Sequence, residues 1–239
     1  MFTDPGTTAL VFLLVTLGAA LQGAAGFGMA LIAAPPLMIL APELIPGPLI
    51  ASGVILTGLV AYRDRAHIDF TGIRHALLGR AAGTALAAVF LAMATPKSFD
   101  LAFGALVLLG VSLSIGGLSF RLGAVSAGVA GLLSGLMGTI SSIGGPPMAL
   151  LYQHAGAARL RATLAGYFVL GVGFSLVALA VVGRFGAEEL RLALLLSPAM
   201  LLGFFLAGPL QTRLPETMIR PLVLSLSCLS GLWVIVRTL

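Results

Sequence analysis

The chain has 239 residues, of which 59% are hydrophobic and only 9% charged. A soluble domain carries about 25% charged residues, so this composition cannot cover a water-exposed surface and an integral membrane protein is expected. The net charge of +5 would suggest nucleic acid in a soluble protein, but here the 13 Lys and Arg fall between hydrophobic runs, which fits loops facing anionic lipid and no nucleic-acid partner.

In chain order, residues 1–4 hold Asp4 and no Lys or Arg, so the first apolar run lacks the basic start of a signal peptide and is expected to be retained. That run, 5–42, is uncharged for 38 residues. As one helix it would be about 55 Å long against a hydrocarbon core of about 30 Å, so it cannot be one plain spanning helix. It contains Gly23-Ala-Ala-Gly-Phe-Gly28 and then Pro35-Pro36. These are the expected structural breaks, because Gly lacks the Cβ that restricts φ and Pro lacks the N–H that continues the ladder. The interruption is placed near 23–28. Run 44–62 follows, then the most charged loop, Arg63 to Asp69, then Arg74 and Arg80, and then the uncharged runs 81–96 and 101–120.

The second long run, 122–158, carries Gly135-Leu-Met-Gly-Thr-Ile-Ser-Ser-Ile-Gly-Gly-Pro-Pro147, with its break expected near 138–145 and Pro146 and Pro147 closing it. Runs 162–183, 192–212 and 221–236 complete the chain. Six of the eight runs are 16 to 22 residues long, close to the ~20 needed to cross once as a helix. No connector exceeds roughly a dozen residues, so none holds a soluble or ATP-binding domain. Cys228 is the only cysteine, which excludes an intrachain disulfide and a cysteine-cluster metal site; no metal and no cofactor are expected.

A shift of 112 residues superimposes Leu21 on Leu133, Gly23 on Gly135, Gly26 on Gly138 and Pro35 on Pro147. The order of one long and three short runs occurs twice. Residues 1–118 and 119–239 therefore read as duplicated membrane repeats. The expected fold is an all-α polytopic membrane protein with about eight hydrophobic segments in two pseudosymmetric four-segment halves, the first segment of each half broken at its Gly-rich motif.

Topology depends on the two long runs, segments 8–40 and 122–152. If each crosses once, the Lys and Arg divide 8 to 5; if each turns back as a hairpin, they divide 9 to 4 and the halves are inverted. The positive-inside rule leans towards hairpins with both termini outside.

Two Gly-rich stretches each ending in Pro, in two four-segment halves of a membrane protein of this length, resemble the sulfite exporter TauE/SafE family of permeases. Leu201-Leu-Gly-Phe-Phe-Leu-Ala-Gly208 followed by Arg213-Leu-Pro215 is similar to that family's second-half pattern. The first motif copy is alanine-rich where the family often has adjacent glycines. The resemblance implies a secondary transporter in a cell membrane of the bacterial inner membrane type. It would export or take up sulfite, sulfonates or related small organic anions, driven by an ion gradient (proton or sodium). A homodimer is compatible with it.

The residues suit anion handling on their own terms. A helix broken inside the bilayer exposes N–H groups and a positive dipole end at the start of its second half, which attract oxyanions. The candidate substrate-binding residues are Gln22, Gly23, Gly26, Phe27 and Gly28 from the first copy and Gly138, Thr139, Ser141, Ser142, Gly144 and Gly145 from the second. The competing role for the glycines is close helix–helix packing. Arg80 is the remaining candidate: its planar fork suits oxyanions, but an interfacial arginine snorkelling to lipid headgroups explains it at least as well. No carboxylate stands mid-run, and His67, His75 and His154 fall at loops or boundaries. No HExxH, paired intramembrane carboxylates or buried Cys–His set is present, so no catalytic residue is assigned and an enzyme is not expected. Transport of another small solute or cation on the same scaffold, or a membrane subunit without transport activity, remain the alternatives.

Overall fold

The computed structural model describes residues 4–115, 121–213 and 216–239, with side chains described outside 210–223. Among the described residues the fold is all-helical. The helices are α1 (Pro5–Ala25), α2 (Met29–Leu40), α3 (Gly47–Arg63), α4 (Phe70–Met93), α5 (Pro96–Ile115), α6 (Ala124–Ser141), α7 (Gly145–Tyr152), α8 (Ala157–Val181), α9 (Ala187–Arg213) and α10 (Glu216–Thr238). Six of them are long and apolar enough to cross a membrane, and their outer faces carry large apolar side chains such as Leu13, Val125 and Val181. The expected repeat boundary at 118/119 and the Leu214-Pro215 turn lie outside the described residues.

Both long runs are interrupted and fold back. At Gly18 an added Cβ would lie 2.7 Å from the Met29 carbonyl oxygen, whereas residues 11 apart in one helix would be about 16 Å apart. The Ser134 hydroxyl likewise donates to the Gly144 carbonyl at 2.6 Å. Each broken run is thus a hairpin, and its returning arm is sheltered: every residue of α7 is buried, as is most of α2. That shelter is required, because irregular backbone at membrane depth survives only inside protein or along a cavity.

Both breaks fall inside the expected stretches 23–28 and 138–145, and what the structure corrects is the place of the prolines. The first break falls at Gly26-Phe27-Gly28, and Pro35 and Pro36 lie inside α2 instead of ending it. Without an N–H on Pro35 the Leu31 carbonyl loses its helical donor, and the buried Ser227 hydroxyl of α10 donates to it instead. The second break falls at Ser142–Gly144, four residues past Gly138, which is helical in α6. Pro146 and Pro147 open α7, where missing N–H groups cost nothing. Run boundaries shift too. α4 starts at Phe70 and α8 at Ala157, upstream of the 81 and 162 at which the uncharged runs begin, because a helix starts at its cap and not at the last charge. For α4 that cap is Asp69, whose carboxylate accepts from the Gly72 N–H at 3.2 Å.

α4 and α6 form the closest helix pair and run parallel. A Cβ on Gly79 or Gly83 would collide with the carbonyls of Gly128 and Leu132, and one on Gly131 or Gly135 with those of Ala76 and Arg80. This is backbone-on-backbone packing of the small-xxx-small kind. The packing role proposed for glycine therefore holds at Gly131 and Gly135, while Gly26 (φ +93°) and Gly28 (φ +115°) make the break.

The hairpins sort the chain ends and loops. At one end the Gly23 carbonyl accepts from Arg63, Arg161 pairs with Asp64 at 2.6 Å and Arg159 with Asp69 at 2.9 Å. At the other, Arg237 reaches Asp100 at 3.6 Å and the Met38 carbonyl, and Arg184 caps the end of α4 at the Leu91 and Ala94 carbonyls. Cysteines introduced at Lys97 and Ala157 in a Cys228→Ser background should therefore label from opposite faces of the membrane. Labelling of both from the same face would contradict the hairpins.

Candidate functional site

The site is built where the two hairpins meet. Phe27 of the first break packs on Gly145 of the second, where a Cβ would stand 2.9 Å from the Phe27 Cβ. Beside this contact lies a cavity of about 60 Å³, room for a few waters or one small ion. It is lined by Gln22 and Gly28 of the first motif, and by Gly138, Ser142, Gly144, Gly145 and Pro146 of the second. Arg80 completes its polar side, while Ile50, Gly53 and Thr57 of α3 and Phe168 and Val172 of α8 supply much of the rest.

Arg80 is not interfacial. It is 2% exposed, ten residues into α4 and hence about 15 Å from the start of the helix, on the stripe that also buries Ala76, Gly83 and Ala87. Among the described residues it has no carboxylate partner. Its Nη1 donates to Ser134 Oγ at 3.2 Å and its Nη2 to Ser175 Oγ at 3.3 Å. The guanidinium stands 5.2 Å from the Tyr167 ring centroid and 5.7 Å from that of Phe168. Its Nε has no hydrogen-bond partner. Gly171 makes the room: a Cβ there would overlap the Arg80 side chain. Hydrogen bonds to a charged group contribute roughly 1.5–3 kcal/mol each and a desolvated cation–π contact about 2 kcal/mol. An unpaired buried ion costs several kcal/mol, a cost these contacts can match, but among the described residues no carboxylate supplies the opposite charge.

Around this cation runs a chain of buried hydroxyls. Ser175 bonds Thr139 at 2.9 Å and Thr139 bonds Thr84 at 3.3 Å, joining α8, α6 and α4. Ser134 passes its own proton to the Gly144 carbonyl, linking Arg80 to the second break.

The structure does not bring every expected residue to the cavity. Gly23 packs against Ala207 of α9, and Gly26 against the backbone of Arg161. Phe27 is the contact between hairpins. Thr139 is consumed by Ser175 and Thr84, and Ser141 folds back on the Met137 carbonyl while accepting from the Ile143 N–H. The half-helix amides also contribute less than expected. The Met29 N–H is already taken by Gln22 Oε1 at 3.3 Å, and two of the first three residues of α7 are prolines without an N–H. Positive charge here comes chiefly from Arg80. Sequence reading missed Ser134, Tyr167, Gly171 and Ser175; their only signal was a small or polar residue inside an apolar run.

Beyond Gly26 lies the charged end. Burial works against the Asp64 carboxylate, but hydrogen bonds from Arg63 and Arg161, with their charges, outweigh it and hold its pKa below the usual value. Stability from this contact is thus present above about pH 4 and lost as pH falls through the lowered folded-state value.

Six apolar helices of spanning length, with large apolar side chains on their outer faces, define a multi-pass membrane protein. The sequence model of the sulfite exporter TauE/SafE family matches residues 11–234, and the chain belongs to that family of membrane transporters. No curated protein and no solved structure is matched by the chain.

Replacing Gly171 by Val tests the assembly of the site. The added side chain should push Arg80 out of place and lower transport at least about tenfold (roughly 1.4 kcal/mol). Membrane-inserted protein, measured by fluorescence-detected chromatography, should fall much less.

Proposed function

We propose that the chain is a secondary transporter for small sulfur-containing or organic anions, sulfite or a short sulfonate first among them, and that the anion binds between the two hairpins beside Arg80. One observation carries this reading: a buried guanidinium without a carboxylate partner lines the cavity onto which both breaks open. A cation or an apolar solute would meet that charge without compensation, which argues against the alternative substrates. Membership of a transporter family supports the transport role, and the family description supports sulfite as the first substrate to try.

The order of a hairpin followed by three helices occurs twice, in α1–α5 and α6–α10. We read these as inverted repeats corresponding to residues 1–118 and 119–239, with the substrate at their interface as in other inverted-repeat transporters. The end bearing Arg63, Arg65, Arg159 and Arg161 is then cytoplasmic, in a membrane of the bacterial inner membrane type. An ion gradient drives the cycle.

The test is a thermal-shift screen of purified protein across sulfite, sulfonates, carboxylates, amines and divalent metals, followed by proteoliposome uptake. A ligand at a hundredfold excess over Kd stabilises by about 2.7 kcal/mol. Stabilisation by small anions should vanish in Arg80→Gln. Stabilisation by amines or metal ions alone would contradict the assignment.

A further inference from the structure

The anion reading leaves open whether one charge or two is taken, and the cavity answers it. Arg80 is the one charged residue in the lining among the described residues. The next cations, Arg63 and Arg161, are engaged with Asp64 at the charged end and line no part of the cavity. In a site of low dielectric the stable occupied state is the one whose charges cancel. One guanidinium cancels one negative charge. A dianion would leave one negative charge buried that no side chain of the lining balances, and the serines on Arg80 are neutral.

The walls add a second criterion. The lining also holds Leu31, Ile50, Ile143, Phe168 and Val172, which offer no hydrogen bond from their side chains. An oxyanion with acceptors on every side would leave some of them unpaired against these residues, at the full desolvation cost. An anion with one apolar substituent would not. Of the five guanidinium N–H groups, one on Nη1 and one on Nη2 go to Ser134 and Ser175, and Nε has no partner, so the guanidinium keeps donors to spare.

We propose, resting on the anion-binding reading above, that the cavity is a monoanion filter: it takes an anion of one charge, hydrogen sulfite or a sulfonate with a small apolar group, and rejects dianions of the same size. Charge and the apolar wall act together. Sulfate and methanesulfonate separate these from size, because they share a tetrahedral sulfur and differ by the exchange of one O⁻ for a methyl group.

Purified full-length protein is titrated with sodium methanesulfonate and with sodium sulfate at matched ionic strength, reading the melting temperature and competition with a transported anion. Methanesulfonate should bind at least about tenfold more tightly than sulfate. A second cation should shift the filter. Thr57 lines the cavity from α3, and its hydroxyl is spent on the Gly53 carbonyl, so Thr57→Lys places an ammonium opposite Arg80. In that variant sulfate should match or surpass methanesulfonate. Sulfate binding as tightly as methanesulfonate in the unaltered protein, with both lost in Arg80→Gln, would overturn the filter and leave the anion site standing. A folded Thr57→Lys protein that still excludes sulfate would also overturn it. Stabilisation by neither anion, nor by any other anion in the screen, would overturn the filter together with the anion site.

Discussion

A guanidinium held about 15 Å along a helix, with hydroxyls and ring faces for company and no carboxylate, is the constraint around which this molecule is arranged. A positive charge so placed is tolerated only if its surroundings are built for it. The surroundings here are specific. Ser134 and Ser175 accept from it, Tyr167 and Phe168 turn ring faces to it, and Gly171 withdraws its side chain to admit it. Ser134 sits on α6 and the other four on successive turns of α8, with Tyr167 and Phe168 adjacent, so the position of one side chain on α4 fixes the rotation of two neighbouring helices. The broken hairpins then close the space beyond the charge and leave a small cavity at its edge.

The hairpins solve a second problem of the bilayer, which is unpaired backbone. Each break frees amides and carbonyls, and three of them have a designated side-chain partner: Gln22 for the Met29 amide, Ser227 for the Leu31 carbonyl, Ser134 for the Gly144 carbonyl. Prolines at the start of α7 remove donors that would otherwise need partners. The same economy limits how much the half-helix ends contribute to binding, and it moves the electrostatic weight onto Arg80.

Much of this was legible in the sequence. Excess run length, duplicated glycines and the distribution of Lys and Arg led to two interrupted segments and favoured hairpins, because those features report directly on bilayer thickness and backbone conformation. Seven of the expected binding residues or their neighbours reach one cavity for the same reason: Gln22, Gly28, Gly138, Ser142, Gly144 and Gly145, with Arg80. The failures have equally physical causes. Pro35 was read as a terminator, but the Ser227 hydroxyl, 196 positions from Leu31, bonds the Leu31 carbonyl that Pro35 leaves without a donor, and no local rule sees that partner. Arg80 stood between a binding role and an interfacial one because the uncharged run was counted from 81, whereas the cap at Asp69 starts the helix at Phe70. Gly131 and Gly135 were indistinguishable from break glycines until α4 was seen to lie against them. Ser134 and Ser175 belong to the site through tertiary contact alone.

The glycine-lined contact between α4 and α6 has a mechanical consequence. With backbone seated on backbone over two turns, neither helix can slide or roll past the other without a collision, so the pair acts as a single post. That post carries Arg80 and Gly138 of the cavity lining. On the transport reading proposed above, whatever opens the cavity first to one face of the membrane and then to the other must therefore move around a charge held on that post. The surface facing it is suited to that: α8 meets Arg80 with Gly171, a bare stretch of backbone over which a guanidinium can pivot without a side chain catching on it.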